Sequence, residues 1–188
     1  MRIISGNFKG KKILEPKNQA TRPLKDLTKE SIFNIIMHSK KFDIDLSNSK
    51  ILDLFSGVGS FGLECLSRGS SNLIFVENYK EVLPILKKNI ESINCQEIAE
   101  IHEIDIIKSF NFKIIKNKID IIFMDPPYKE KNLFQLLAKI SDSNILSPNG
   151  IIIIHRHKKE EDSFPENFNI IEKKSYGISK VIFGYFLN

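Results

Sequence analysis

Five short apolar runs recur through the middle of the chain: "KILDLF", "NLIFVEN", "IAEIHEID", "IDIIFMD" and "GIIIIHR". Runs of this length suit strands, and their near-continuous apolar character suits strands covered on both faces. Between them, "GSFGLECLSRG", "YKEVLPILKKNIESI" and "KNLFQLLAKISDS" read as helices, and a further helix-like stretch follows the third run. Strands alternating with amphipathic helices predict a parallel sheet with helices packed on both faces. The end of the chain breaks the alternation. "FNIIEKKSYG" and "SKVIFGYFLN" follow one another with no helix between them, so they read as a hairpin whose last strand runs antiparallel. The expected class is α/β, a Rossmann-like sheet of seven mostly parallel strands.

Ahead of the sheet, "RIISGNFKGKKIL" alternates around two glycines as a short hairpin, and "EPKNQATRP" reads as a loop. "LTKESIFNIIMHSK" places Ile32, Ile35 and Ile36 on one helical face. Residues 1–42 are therefore expected to form a small hairpin-and-helix extension, and residues 43–188 the main domain. At 188 residues the chain is long enough for one domain with a substantial core.

The first strand runs into a glycine turn, "ILDLFSGVGSFGLE". Gly57, Gly59 and Gly62 fit G-x-G-x-x-G between a strand and a helix, where glycines permit a tight turn and close approach of a ligand to the backbone. Glu77 ends the next strand, 20 residues beyond Gly57, a spacing that suits a carboxylate gripping both hydroxyls of a ribose. This pattern alone is equally at home in a dinucleotide-binding domain. Asp53 helps to separate the readings. An acid inside the strand-to-turn junction suits a ligand carrying positive charge, such as the amino group of a methionyl moiety near a sulfonium, and disfavours a pyrophosphate. A third acid, Asp105, follows the third strand, within reach of an adenine amino group. The alternative for each is a solvated strand-end acid.

The fourth strand exits into Asp125, Pro126, Pro127 and Tyr128. Pro126 donates no hydrogen bond and biases Asp125 toward an extended conformation, Pro127 stiffens the exit, and Tyr128 offers a flat ring with a polar tip. Such a turn either holds a carboxylate and backbone carbonyls rigidly toward something planar, or is a proline-punctuated loop.

Charge is unevenly spread. Residues 1–30 hold eight lysines and arginines against three acids, so this segment alone matches the +5 of the whole chain. A basic segment on a neutral body reads as an anion-binding arm for a polyphosphate backbone, or as a solvated lysine-rich terminus. Cys65 and Cys95 are isolated, with no CxxC and no clustered histidines, so neither a disulfide framework nor a metal site is expected. No apolar run approaches the roughly 18–20 residues of a membrane span, and "MRIISGNFKGKKIL" lacks the apolar core of a secretory signal. A cytoplasmic monomer is expected.

Together, Asp53 to Gly62, Glu77, Asp105 and Asp125 to Tyr128 resemble the site of a class I S-adenosylmethionine-dependent methyltransferase. "SGNFKGKKIL", "TRPLKDLTKESIFNII", "LDLFSGVGSFGLECLSRG" and "MDPPY" narrow this, over nearly the whole chain, to a resemblance to the bacterial RsmD family. The resemblance implies a seventh strand inserted antiparallel between strands five and six. It implies S-adenosylmethionine held by Asp53, Phe55, Ser56, Gly57, Gly59, Glu77, Asn78, Asp105 and Ile106, and no metal. It implies methylation of a guanine N2 amine in small-subunit (16S) ribosomal RNA, free or in an assembling 30S particle. Asp125, Pro126, Pro127 and Tyr128 would be the catalytic residues, with Lys9, Lys11, Lys12, Arg22 and Lys25 on the RNA. Three positions depart from the family pattern. In the helix-entry block R-P-T-x-D-R-x-[KR]-E, Leu24 replaces the threonine and Leu27 the arginine. His155 stands after the fifth strand where an acid is expected, and residues 155–159 read as a second basic patch or a solvated strand exit. An adenine-N6 methyltransferase acting on DNA or RNA would share the glycine turn and the DPPY segment. A non-catalytic RNA-binding assembly subunit would need neither, and a nicotinamide-dependent oxidoreductase would leave DPPY and the basic arm unexplained.

Overall fold

The computed structural model describes residues 1–16, 24–41 and 43–187. The five apolar runs form β1 (Lys50–Leu54), β2 (Asn72–Glu77), β3 (Ala99–Glu103), β4 (Ile119–Met124) and β5 (Leu146–His157). The terminal pair forms β6 (Phe168–Tyr176) and β7 (Ser179–Phe186). All seven lie in one sheet of order β3-β2-β1-β4-β5-β7-β6. Strands β1 to β5 pair in parallel, and β7 runs antiparallel to both its neighbours, β5 and β6. The winding reverses between β1 and β4, the switch point at which open α/β sheets leave a crevice beyond the carboxyl ends of their strands.

Side chains alternate between two cores. Ile51, Ile121, Phe123, Ile151 and Ile153 share a core with α1 (Asp26–His38), α2 (Ser60–Ser67) and α3 (Leu83–Ser92). Leu52, Leu54, Ile122, Met124, Ile152 and Ile154 face the opposite way, onto α4 (Leu133–Ser143). The helix-like stretch after β3 is only a turn and one 3-10 turn, Phe112–Ile114. There the Asn111 side chain accepts the Lys113 N–H, a local bond that competes with helix propagation. The N-terminal hairpin is reduced to a single antiparallel bridge between Arg2 and Lys12. Among the described residues no helix is long and apolar enough to cross a membrane.

The N-terminal segment is tied to the sheet by a buried ion cluster and an aromatic stack. Glu64 of α2 is fully buried; its carboxylate accepts the N–H groups of Ile4 (2.7 Å) and Ser5 (2.9 Å) and the Arg68 Nε (2.9 Å). Lys29 of α1 is equally buried, 3.6 Å from Glu64 and donating to the Arg2 carbonyl at 2.7 Å. Burial pushes the Lys29 ammonium below its usual range, with Glu64 and Asp26 pulling it back. Lys29, one of the cations of the first thirty residues, is thus a core ion and no part of a basic surface. Beside this cluster Phe33, Phe61 and Phe123 stack in series, with centroid separations of 5.1 and 4.0 Å, from α1 through α2 to β4.

Removing one partner of a buried ion pair leaves the other uncompensated, so Glu64→Ala is expected to cost about 3–5 kcal/mol. Urea unfolding measures it. A loss below about 1 kcal/mol, the scale of an exposed pair, would show that the N-terminal segment does not depend on this cluster.

Candidate active site

The parallel register determines which residues leave the sheet together. Leu54 pairs with Val76 and with Met124, and Met124 pairs with Ile154. The next residues along β2, β4 and β5 are therefore Glu77, Asp125 and His155, emerging at one level, with β1 between the first two and the last two on adjacent strands. Each strand alternates faces with a period of two, which puts Asp53, Glu77, Asp125 and His155 on the side of the sheet that packs against α1 to α3.

Asp53 is 1% exposed. Its Oδ2 accepts the Gly62 N–H at 3.0 Å, while Oδ1 is buried with no hydrogen-bond partner among the described residues. Burial pushes this carboxyl well above the usual range; the Gly62 N–H opposes the shift, and the nearby charges of Asp125 and Glu77 add to it. Gly62 can approach because it has no side chain: a Cβ there would stand 2.5 Å from the Phe75 ring. The turn between β1 and α2 passes through left-handed conformations at Phe55 (φ 59°), Gly57 (φ 54°) and Gly59 (φ 84°). A Cβ at Gly57 would meet nothing within 4 Å, so the turn is open on that side. Glu77 pins it: Oε2 accepts the Gly57 N–H at 2.7 Å, and Oε1 accepts those of Asn78 and Tyr79 at 2.8 Å each. The Ser56 and Ser60 hydroxyls are buried without hydrogen-bond partners among the described residues. Asn78 is exposed.

Asp105 lies two residues past β3, half-buried. Its Oδ1 accepts the N–H groups of Ile107 (3.0 Å) and Lys108 (2.9 Å), capping its own turn, and Ile106 is buried in the α4 core. This donor and acceptor set fits S-adenosylmethionine. Asp53 offers an unmet buried acceptor for an ammonium, the two serines offer unmet hydroxyls, and Glu77 keeps acceptor capacity on Oε2 for a ribose hydroxyl.

At the exit of β4, the Asp125 N–H donates to the Leu54 carbonyl (3.3 Å), and its Oδ1 lies 2.8 Å from His155 Nδ1. Pro126 is buried and Pro127 exposed. The Tyr128 ring meets His157 edge-on, with centroids 5.0 Å apart. Arg156, only 2% exposed, clamps the turn from behind. It donates to the Pro127 carbonyl (3.1 Å), the Glu130 carbonyl (3.0 Å) and Asp162 (2.9 Å), and Asp162 in turn pairs with Lys180 at 2.9 Å. Two donors of one planar guanidinium thereby fix the turn to β5, and the third, on Asp162, holds the guanidinium in place.

Residues 155–159 are neither a continuous basic patch nor a solvated strand exit. His155 and Arg156 are buried, paired with Val181 and Lys180 of β7, and only Lys158 and Lys159 are exposed. Sequence reasoning missed Arg156 and Asp162 as supports of the turn, and the Ser60 hydroxyl. The available signal was that the terminal hairpin needs a long β5 to pair with, which keeps residues 155 and 156 inside the sheet. Lys9, Lys11, Lys12 and Lys25 carry exposed side chains, while Arg22 lies outside the described residues. Leu24 is buried in the core with α1, whereas Leu27 is 71% exposed. Among the described residues no group of His, Cys, Asp or Glu is arranged to hold a metal ion.

The conserved hypothetical protein 95 family matches residues 1–185. Ribosomal RNA small subunit methyltransferase D of Haemophilus influenzae is 30% identical over 183 residues, covering 95% of this chain and 90% of the relative. The protein of the same name from Buchnera aphidicola subsp. Acyrthosiphon pisum is 32% identical over 176 residues, covering 92% and 86%. The crystal structure of the Haemophilus influenzae protein HI0767 matches with a TM-score of 0.76 at 30% identity, over 100% of this chain and 98% of that one. TrmN from Thermus thermophilus, at 16% identity and a TM-score of 0.68 over 89% of this chain and 51% of that one, shares the fold. With the family match spanning almost every residue and the relatives aligned over most of their length, the chain belongs to the conserved hypothetical protein 95 family, the RsmD family of S-adenosylmethionine-dependent methyltransferases.

Proposed function

We propose that the protein transfers a methyl group from S-adenosylmethionine to the exocyclic N2 amine of a guanine in small-subunit ribosomal RNA. The observation that carries this reading is the Asp125 carboxylate, held at one oxygen by His155 in a clamped turn, at the same sheet edge as the unmet Asp53 acceptor. Two relatives named as small-subunit ribosomal RNA methyltransferases supply the substrate class.

In this reading Asp53 Oδ1 takes the cofactor's ammonium, and the Ser56 and Ser60 hydroxyls with the Gly57–Gly59 backbone surround its methionyl end. Glu77 Oε2 takes a ribose hydroxyl, and Asn78, Asp105 and Ile106 frame the adenine. When bound, S-adenosylmethionine supplies an electrophilic methyl carbon on a sulfonium. The protein's task is to make an unreactive amine attack it, because the guanine amine lone pair is delocalised into the ring. Asp125 Oδ2 accepts a hydrogen bond from that amine and so lets electron density build on nitrogen. A backbone carbonyl takes the second hydrogen. Arg156 and the Glu130 N–H already occupy the Pro127 carbonyl, which leaves this role to Pro126. Tyr128 flanks the base. Transfer is in line, and positioning and fixed electrostatics supply most of the rate. The leaving proton passes to Asp125 or to water.

A paired base cannot enter such a site, so the target guanine is unstacked or in a loop. Lys9, Lys11, Lys12, Lys25 and Arg22, in the extension of residues 1–42, hold the surrounding phosphates. The same reading has the protein act in the cytoplasm as a monomer, on ribosomal RNA or an assembling small subunit.

Asp125→Ala is expected to reduce methyl transfer to small-subunit RNA by about 100-fold or more, as when an oriented polar group at a reacting centre is lost. Calorimetry should find its S-adenosylmethionine affinity within a few fold of the native value. A large loss of cofactor affinity would contradict the role assigned to Asp125. Replacing Lys9, Lys11 and Lys12 by alanine is expected to weaken RNA binding and flatten the slope of log K against log salt by roughly 2. An unchanged slope would remove the arm from the RNA interface.

A further inference from the structure

We infer that His155 is a positioning residue for Asp125: its Nδ1–H holds one carboxylate oxygen so that the other is presented to the substrate amine. The inference rests on the methyl-transfer reading above, and the geometry behind it is independent of that reading. On this face of β5 the preceding positions are Ile151 and Ile153, both buried. Position 155 continues the series with an imidazole, 7% exposed, where an aliphatic side chain would pack without any polar atom to satisfy. On the β7 side its paired neighbour is the apolar Val181. On the β4 side the register places Asp125 next to it, at 2.8 Å. Nε2 is buried and has no hydrogen-bond partner among the described residues, so the ring's one polar contact there is Asp125.

The tautomer follows from this contact. A carboxylate only accepts hydrogen bonds, so the proton between the two groups sits on Nδ1. An N–H at Nε2 would be a buried donor with no acceptor among the described residues, so Nε2 is bare. A bare Nε2 with no polar neighbour offers no onward path for a proton, so the ring orients Asp125 and does not relay a proton from it. The second carboxylate oxygen is left for the substrate. Without His155, Asp125 keeps its place in the chain, fixed by its own N–H to Leu54 and by the Arg156 clamp on the turn, but loses the bond that sets its side-chain rotation.

Two measurements test this. In protein labelled with 15N-histidine, long-range proton–nitrogen correlation reports the tautomer of each of the four histidines, with His155 assigned by its absence in His155→Asn. We expect the Nδ1–H form in the native protein, lost in Asp125→Ala. The Nε2–H form, or a tautomer indifferent to Asp125→Ala, overturns the inference. In methyl transfer, His155→Leu should lower kcat by roughly 10- to 100-fold, the scale of a small misplacement of a reacting group, with the S-adenosylmethionine Kd within about twofold. His155→Asn, whose amide stands in for the Nδ1–H donor, should recover most of that loss. Equal kcat for both variants and the native protein, or equal losses in both, overturns the inference. If the leucine variant does not fold, the tautomer and the asparagine variant still decide. A native protein that shows the Nδ1–H form but methylates no ribosomal RNA would sink the proposed reaction and leave the pairing standing.

Discussion

Parallel pairing in this sheet fixes which residues reach its edge side by side, and every element of the candidate site depends on that register. Because Leu54, Val76, Met124 and Ile154 lie in one row, the residues that follow on β2, β4 and β5 bring two acids and a histidine to a single crevice, with the third acid, Asp53, one residue before the row on β1. The alternation that sends isoleucines into the core below sends Asp53, Glu77, Asp125 and His155 to one face above. A one-residue slip of any strand would turn its polar residue to the opposite face, so the two apolar cores that hold the register also align the site.

Buried charge separates structure from site. The Lys29–Glu64 cluster and the Arg156–Asp162–Lys180 chain are buried ions that face opposite charges, the first fastening the N-terminal segment and the second fastening the DPPY turn. Desolvating such groups costs more than their attraction returns unless the geometry is complete, and in both clusters hydrogen bonds to backbone groups help to complete it. Asp53 is different. One of its oxygens is fully buried and unmet, in a strand that is otherwise apolar. An acceptor left so is a cost that a folded chain has no structural reason to carry, and a cationic ligand relieves it. Asp162 Oδ2 also lacks a hydrogen bond among the described residues, but it lies 2.9 Å from the Lys180 ammonium. Asp53 faces no cation among the described residues, only Asp125 and Glu77, and that contrast is the physical argument for a cationic ligand at this edge.

Much of this was legible in the sequence because it is local. Apolar runs of strand length, amphipathic spacers, and the missing helix before "SKVIFGYFLN" pointed to the parallel sheet and its antiparallel strand, while the place of that strand between β5 and β6 came from the family resemblance. The glycine turn and the double proline marked the two ends of the crevice. What was not legible depends on partners distant in sequence. Lys29 reads as one more surface cation until Glu64 and the Arg2 carbonyl meet it in the core. His155 and Arg156 read as a strand exit because nothing in "HRHKK" reveals that β7 extends far enough to cover them. The stretch after β3 has helical spacing, but the Asp105 and Asn111 side chains bond to nearby backbone N–H groups and leave only turns. Leu24 is accounted for by its place in the core; nothing in the structure explains Leu27, which lies mostly exposed.

The central claim is the identity of the methylated atom. Its most direct test is transfer of labelled methyl from S-adenosylmethionine to small ribosomal subunits, and to their naked RNA, from cells lacking this protein, followed by digestion to nucleosides. The account predicts label in N2-methylguanosine. Label in methyladenosine would contradict it, as would the absence of label on either substrate from a protein that binds the cofactor.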